Sequence, residues 1–121
     1  MQHTFHQVPA GTIAVIHSKE ILIRELQDAL DLMAECSAQD AQGMVLREDH
    51  LVPGFFDLKT GLAGEILQKF STYRMKLAIV GDFSAIGSKS LRDFIRESNR
   101  YGQVCFVASE EEAITVMGKG R

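Results

Sequence analysis

No stretch of this chain approaches the ~20 apolar residues of a membrane-spanning helix. The amino-terminal MQHTFHQVPAG also lacks the apolar core of a secretory leader, so the reading is a cytoplasmic protein without a membrane partner. Cysteine is scarce. Cys36 and Cys105 lack the close spacing of a zinc or redox motif and read as buried thiols, so no metal and no cofactor is expected. The 2 prolines both fall in turn-forming phrases, Pro9-Ala10-Gly11 and Pro53-Gly54. A strong charge of one sign is missing too. The net charge of −3 gives no general attraction to phosphate backbones or anionic membranes. P-loop and GxGxxG fingerprints are absent, as are repeats, linkers and low-complexity tracts.

What remains is an ordinary globular composition, 45% apolar and 24% charged over 121 residues, which suits a single domain over 1–121. His3 to Val8 and Thr12 to His17 flank the Pro9–Gly11 turn and read as an antiparallel hairpin. His3 and His6 point to opposite faces of that strand, cannot share an ion, and read as exposed edge histidines. Ser18 as cap and Glu20 in the first turn predict a helix from Lys19 to Ser37, with Leu22, Leu26, Ala29, Leu30 and Met33 as its buried stripe. Its acids, Glu25, Asp28, Asp31 and Glu35, read as a solvated face.

Met44-Val45-Leu46 predicts a short strand, followed by Arg47-Glu48-Asp49-His50 at its carboxyl end, where open α/β sheets bind ligands. Asp49 beside His50 has no nucleophile close by, so this stretch reads as a surface loop. The most informative stretch is Phe55 to Phe70. Leu58, Leu62, Ile66 and Phe70 recur every fourth residue with Ala63 and Leu67 beside them, which predicts an amphipathic helix. At its start Asp57, Thr60, Gly61 and Gly64 gather small and oxygen-bearing residues where backbone N–H groups lack partners.

Met75 to Gly81 and Gln103 to Ala108 are apolar enough to be strands covered on both faces. Between them, Ser90 with Asp93 predicts a capping box for a helix to Asn99, its inward face being Leu91, Phe94 and Ile95. Lys89, Arg92, Arg96 and Arg100 form a basic stripe on that helix. Asp93 and Glu97 share the helix and no aromatics interleave, so the stripe reads as a solvated face and no nucleic-acid partner is expected. Ser109 with Glu112 predicts a last capped helix through Met117, and the tail Gly118 to Arg121 reads as frayed. The pattern predicts an α/β fold: a mostly parallel five-stranded sheet with an N-terminal antiparallel hairpin, the first strand at the edge, and four helices.

From Thr12 onward this order resembles the STAS domain of anti-sigma-factor antagonists. Met44-Val45-Leu46 stands where that family's central strand lies, and Asp57-Leu58-Lys59-Thr60-Gly61-Leu62 is similar to its Asp-Ser-Ser-Gly-Leu helix start, with one extra residue and Thr for Ser. Met75 to Gly81 and Ser109 to Ile114 match its next strand and its closing helix. The phrases FFDLKTGLAGEILQKF and SKSLRDF are also similar to those of a small bacterial family described as a domain of unknown function. The STAS-like resemblance implies a non-catalytic regulatory interaction module whose switch is phosphorylation at the residue before the glycine, here Thr60, and whose partner is a protein. Asp57, Thr60, Gly61 and Gly64 are then the partner-binding or switch residues.

A second class of function, a small-molecule or phosphate-binding protein with an enzyme among its forms, rests on the residues alone: within the 81–92 strand exit and helix start, Ser84, Ser88, Lys89 and Arg92 stand where backbone amides and two cations would hold an anion. Phe55, Phe56 and the hairpin edge are the features compatible with a homodimer.

Overall fold

The fold is seen in a computed structural model that describes residues 2–118. Strands β1 (Gln2–Val8) and β2 (Gly11–His17) form the expected hairpin, and α1 (Leu26–Ala38), β3 (Ala41–Arg47), α2 (Leu62–Thr72), β4 (Lys76–Val80), α3 (Lys89–Tyr101), β5 (Val104–Val107) and α4 (Glu110–Gly118) follow. Sheet order equals sequence order, β1 to β5, with β1 antiparallel to β2 and every other neighbour pair parallel. The α/β architecture expected from the alternating periodicities is therefore present, with β1 as the antiparallel edge.

Because each parallel crossover steps in the same direction, crossovers of one hand must put their helices on one face. Side chains alternate accordingly. Ala14, Ile16, Met44, Leu46, Leu77, Ile79, Val104 and Phe106 meet Ala29, Leu32, Met33 and Cys36 of α1, Ala63, Ile66 and Phe70 of α2, and Ile95 of α3. The opposite pleat, Ile13, Val15, Val45, Ala78, Cys105 and Val107, is covered by Ala113 and Met117 of α4. α4 lies close over β3 at Gly43, where a Cβ would stand 2.6 Å from Met117 Cε and 3.2 Å from Ile13 Cδ1 and Lys76 Cβ, so a side chain there would oblige the Met117 side chain to move.

Four local expectations are corrected. The first helix starts at Leu26, not Lys19, with Glu25 and Asp28 forming its capping box. Residues 18–25 are withheld from helix because the N–H groups of Leu22 and Ile23 donate to the His50 carbonyl at 2.7 and 3.0 Å, and Val52 N–H donates back to Ile23 at 2.9 Å. Ile23, wholly buried, is thereby drawn into the core. The second correction is His50 itself, which is 1% exposed rather than on a surface loop. Third, the α3 cap is Ser88, whose Oγ accepts from Leu91 N–H, rather than Ser90. Fourth, His3 is not an exposed edge histidine: its side chain is only 13% exposed and its Nε2 lies 3.0 Å from Glu35 Oε2 of α1. Cys36 and Cys105 are buried free thiols, as read. Gly118 closes α4, and residues 119–121 of the tail fall outside the described residues.

Candidate functional site

The chain between β3 and α2 is three short 3-10 turns, Glu48–His50, Pro53–Phe56 and Leu58–Thr60. Their order follows from local chemistry. Arg47 N–H donates to His50 Nδ1 at 3.0 Å, so Nδ1 carries no proton, and the protonated Nε2 donates to the Ser18 carbonyl at 2.9 Å. That one ring ties the exit of β3 to the exit of β2. Asp49 has no hydrogen bond to that ring and is bonded instead to the Arg47 guanidinium, at 3.2 and 3.0 Å, which holds its carboxyl below the ordinary 3.8. Asp49 and His50 therefore do not form an acid–base pair.

Asp57 caps the last of these turns, its Oδ1 accepting from Lys59 N–H at 3.2 Å. Thr60 Oγ1 lies 2.9 Å from both the Gly54 and the Asp57 carbonyls, to which its hydroxyl donates, and accepts from Leu62 N–H at 3.2 Å. Gly61 follows at φ 78°, a left-handed conformation that a residue with a Cβ adopts only with strain. This reversal separates the 3-10 turn from α2, so the helix begins at Leu62 rather than within Asp57–Gly61. Among the described residues, and apart from each glycine's chain neighbours and the backbone of α2 itself, no atom lies within 4 Å of where a Cβ would stand on Gly61 or Gly64. All four sequence-predicted residues thus share one exposed corner at the carboxyl edge of the sheet.

The second predicted cluster lies on the same edge. Asp82 Oδ1 accepts from both the N–H and the Oγ of Ser84, at 3.1 and 2.6 Å, bonds that lower its pKa below 3.8. Lys89 Nζ is 2.8 Å from Asp93 Oδ2, and Arg92 Nη1 donates to the Ile86 and Gly87 carbonyls at 2.8 and 3.2 Å. Ser88 is engaged as the α3 cap. Each of the four candidate anion-binding residues therefore already holds an intramolecular partner, and for Ser84 and Lys89 that partner is a carboxylate.

The two clusters are joined by contacts that sequence reasoning missed. Glu48 Oε2 accepts from Asp82 N–H at 2.8 Å and lies against Gly81, which has no room for a side chain while that bond stands. Phe56 and Phe83 bring their ring centroids to 6.2 Å, and Phe83 meets Phe106 edge-on at 5.4 Å. Phe55 is buried beneath Phe56, which leaves it no surface for a partner. Nothing local in the sequence marks Glu48 or Phe83, because their partners lie more than twenty residues away.

Open α/β sheets bind ligands where the winding reverses, since loops on either side of that point diverge and leave a crevice. Here the order β1 to β5 never reverses. The carboxyl edge is accordingly braced and filled by aromatic rings. A groove of about 1040 Å³ opens instead at the opposite edge, bordered by Tyr73, Arg74, Lys76, Tyr101 and Gln103. Among the described residues no three His, Cys, Asp or Glu side chains converge as a metal site. No helix among them is long and apolar enough to cross a membrane.

Comparison with known proteins gives a family and nothing closer: no curated protein and no solved structure matches the chain. A family model described as a domain of unknown function (DUF4180) matches residues 9–117, which take in every element from β2 to α4 bar the last residue, and the chain belongs to that family.

Proposed function

We propose that this protein is a non-catalytic, STAS-like regulatory interaction module that docks a protein partner through the corner formed by Asp57, Thr60, Gly61 and Gly64. The observation that carries the reading is Gly64. It occupies the third position of α2, exposed, with open space where a Cβ would stand. A glycine inside a helix costs about 0.5–1 kcal/mol relative to alanine, and no packing within the chain offsets that cost. A partner backbone approaching α2 closely is what would offset it. The Gly61 reversal beside it leaves the same space open.

Regulation in this reading acts on Thr60. Its hydroxyl braces the turn by donating to two carbonyls and accepting from the first turn of α2. A phosphoryl group there would remove the donor, set about −1.5 to −2 charge against those carbonyls and Asp57, and alter the docking corner. The anion-binding alternative over residues 81–92 has less support, because a phosphate would first have to displace Asp82 from Ser84 and Asp93 from Lys89.

The test is retention of proteins from host cytosol on wild-type protein, Thr60→Glu, Gly64→Gln and, at the far edge, Tyr101→Ala. A partner held by wild type and Tyr101→Ala but lost by both corner variants is expected. A partner held equally by all four baits, or by none, removes the reading.

A further inference from the structure

We propose that two copies of this chain pair through β1, antiparallel about Phe5, so that their sheets become continuous. A sheet that is not a barrel has two edges, and in this protein they are treated differently. At β5 the outward-facing backbone is closed by α3: Asn99 Oδ1 accepts from Phe106 N–H at 2.7 Å, its Nδ2 donates to the Phe106 carbonyl at 3.3 Å, and Ser98 Oγ donates to the Val104 carbonyl. An asparagine amide thus stands where another strand would bond. At β1, among the described residues, no main-chain group is bonded by anything other than β2.

Unpaired edges are ordinarily blunted by lysine, proline, bulges or brevity, since they otherwise recruit further strands. β1 has none of these. It is 7 residues long, QHTFHQV, with no Lys, Arg, Asp, Glu or Pro, and its register with β2 runs unbroken through all seven pairs. At its midpoint stands Phe5, 39% exposed, on the same pleat as Ala14 of the main core. The ring is held in place. His3 stacks on it with centroids 5.9 Å apart and planes 13° apart, and His3 is itself set against Glu35 of α1.

A second copy is the occupant this edge fits. With a two-fold axis at Phe5, Gln2 faces Val8 of the other copy, His3 faces Gln7, Thr4 faces His6, and Phe5 faces Phe5, so no Lys, Arg, Asp or Glu in β1 opposes a like charge. The edge matches itself in length and carries no carboxylate, lysine or arginine to repel a second copy, and the exposed aromatic falls on the axis, where the two rings form a cross-strand pair.

The experiment is sedimentation velocity over a range of micromolar concentrations with wild type and Phe5→Lys, together with air oxidation of Phe5→Cys and Gln7→Cys. A self-associating wild type is expected, weakened about tenfold or more by Phe5→Lys, which sets two ammonium groups across the axis. Phe5→Cys is expected to form a disulfide-linked dimer, because directly opposed residues in antiparallel strands have Cα atoms about 4.5–5.5 Å apart. Gln7→Cys is not, since its partner across the axis is His3. Cys36 and Cys105 are buried and give no background. A wild type monomeric at every concentration, self-association indifferent to Phe5→Lys, or cross-linking by Gln7→Cys in place of Phe5→Cys would each overturn the proposal. The oxidation arm decides even if Phe5→Lys fails to fold.

Discussion

His50 does more for this architecture than any other polar side chain in its core. Both ring nitrogens are bonded, and its backbone carbonyl takes two further N–H groups from residues 22 and 23. His50→Leu would leave the Arg47 N–H and the Ser18 carbonyl unpaired in a partly buried site. Each orphaned group costs about 1–3 kcal/mol, so a loss of about 2–4 kcal/mol in urea unfolding is expected. The thiols are the second residue-scale case. Burial, with Glu35 adding to it, pushes the Cys36 pKa up to about 11, and burial raises that of Cys105 as well. Thiolate is the reactive form, so neither should react appreciably with an aromatic disulfide reagent at pH 7 until the chain is unfolded in denaturant. Rapid native-state labelling of either would contradict the burial described.

At the scale of elements, α2 and α3 make opposite predictions. A Cβ on Gly64 of α2 would meet no described residue outside its own helix, so Gly64→Ala should raise the unfolding free energy by about 0.5–1 kcal/mol while weakening retention of a partner at the corner. A simple packing role for Gly64 would instead make the substitution destabilising. In α3, Asn99 supplies both bonds to Phe106. Asn99→Ala should cost about 1–3 kcal/mol and leave the β5 edge open, so light scattering on standing should rise beside an Asn99→Gln control only if edge closure is that residue's task.

On the scale of the whole molecule, three exposed carboxylates are held below their ordinary value of 3.8: Asp49 chiefly by its hydrogen bond to Arg47, Asp82 by Ser84 and Asp93 by Lys89. The folded state holds these protons less tightly than the unfolded chain does. Their contribution is therefore present above pH 3.8 and lost as pH falls below it through the folded values. Thermal midpoints measured from pH 7 to pH 2 should fall mainly at the acid end. Because water and salt screen all three groups, 0.5 M salt, roughly, should shrink the contribution of the ion-paired Asp49 and Asp93 more than that of Asp82.

By itself the sequence determined the number, type and order of the main elements, and it did so because those signals are local. Unbroken apolar runs within TIAVI and MKLAIV, and apolar residues every fourth position at Leu62, Ile66 and Phe70, need only near neighbours to be read. Turn and cap chemistry is local in the same way, so the Pro9–Gly11 reversal and the Ser109 cap stand where the residues place them. Only the tertiary structure decided the rest. Residues 19–25 carry a helical pattern, yet the N–H groups of Leu22 and Ile23 bond to the His50 carbonyl, and no local rule foresees a partner so far away. The corner at Asp57, Thr60, Gly61 and Gly64 was legible as residues, whereas the left-handed Gly61 and the open space above it follow from how the 3-10 turn meets α2. Which sheet edge is closed and which is bare is a property of neither strand alone: it depends on Asn99 reaching Phe106 from a helix whose position the whole sheet sets.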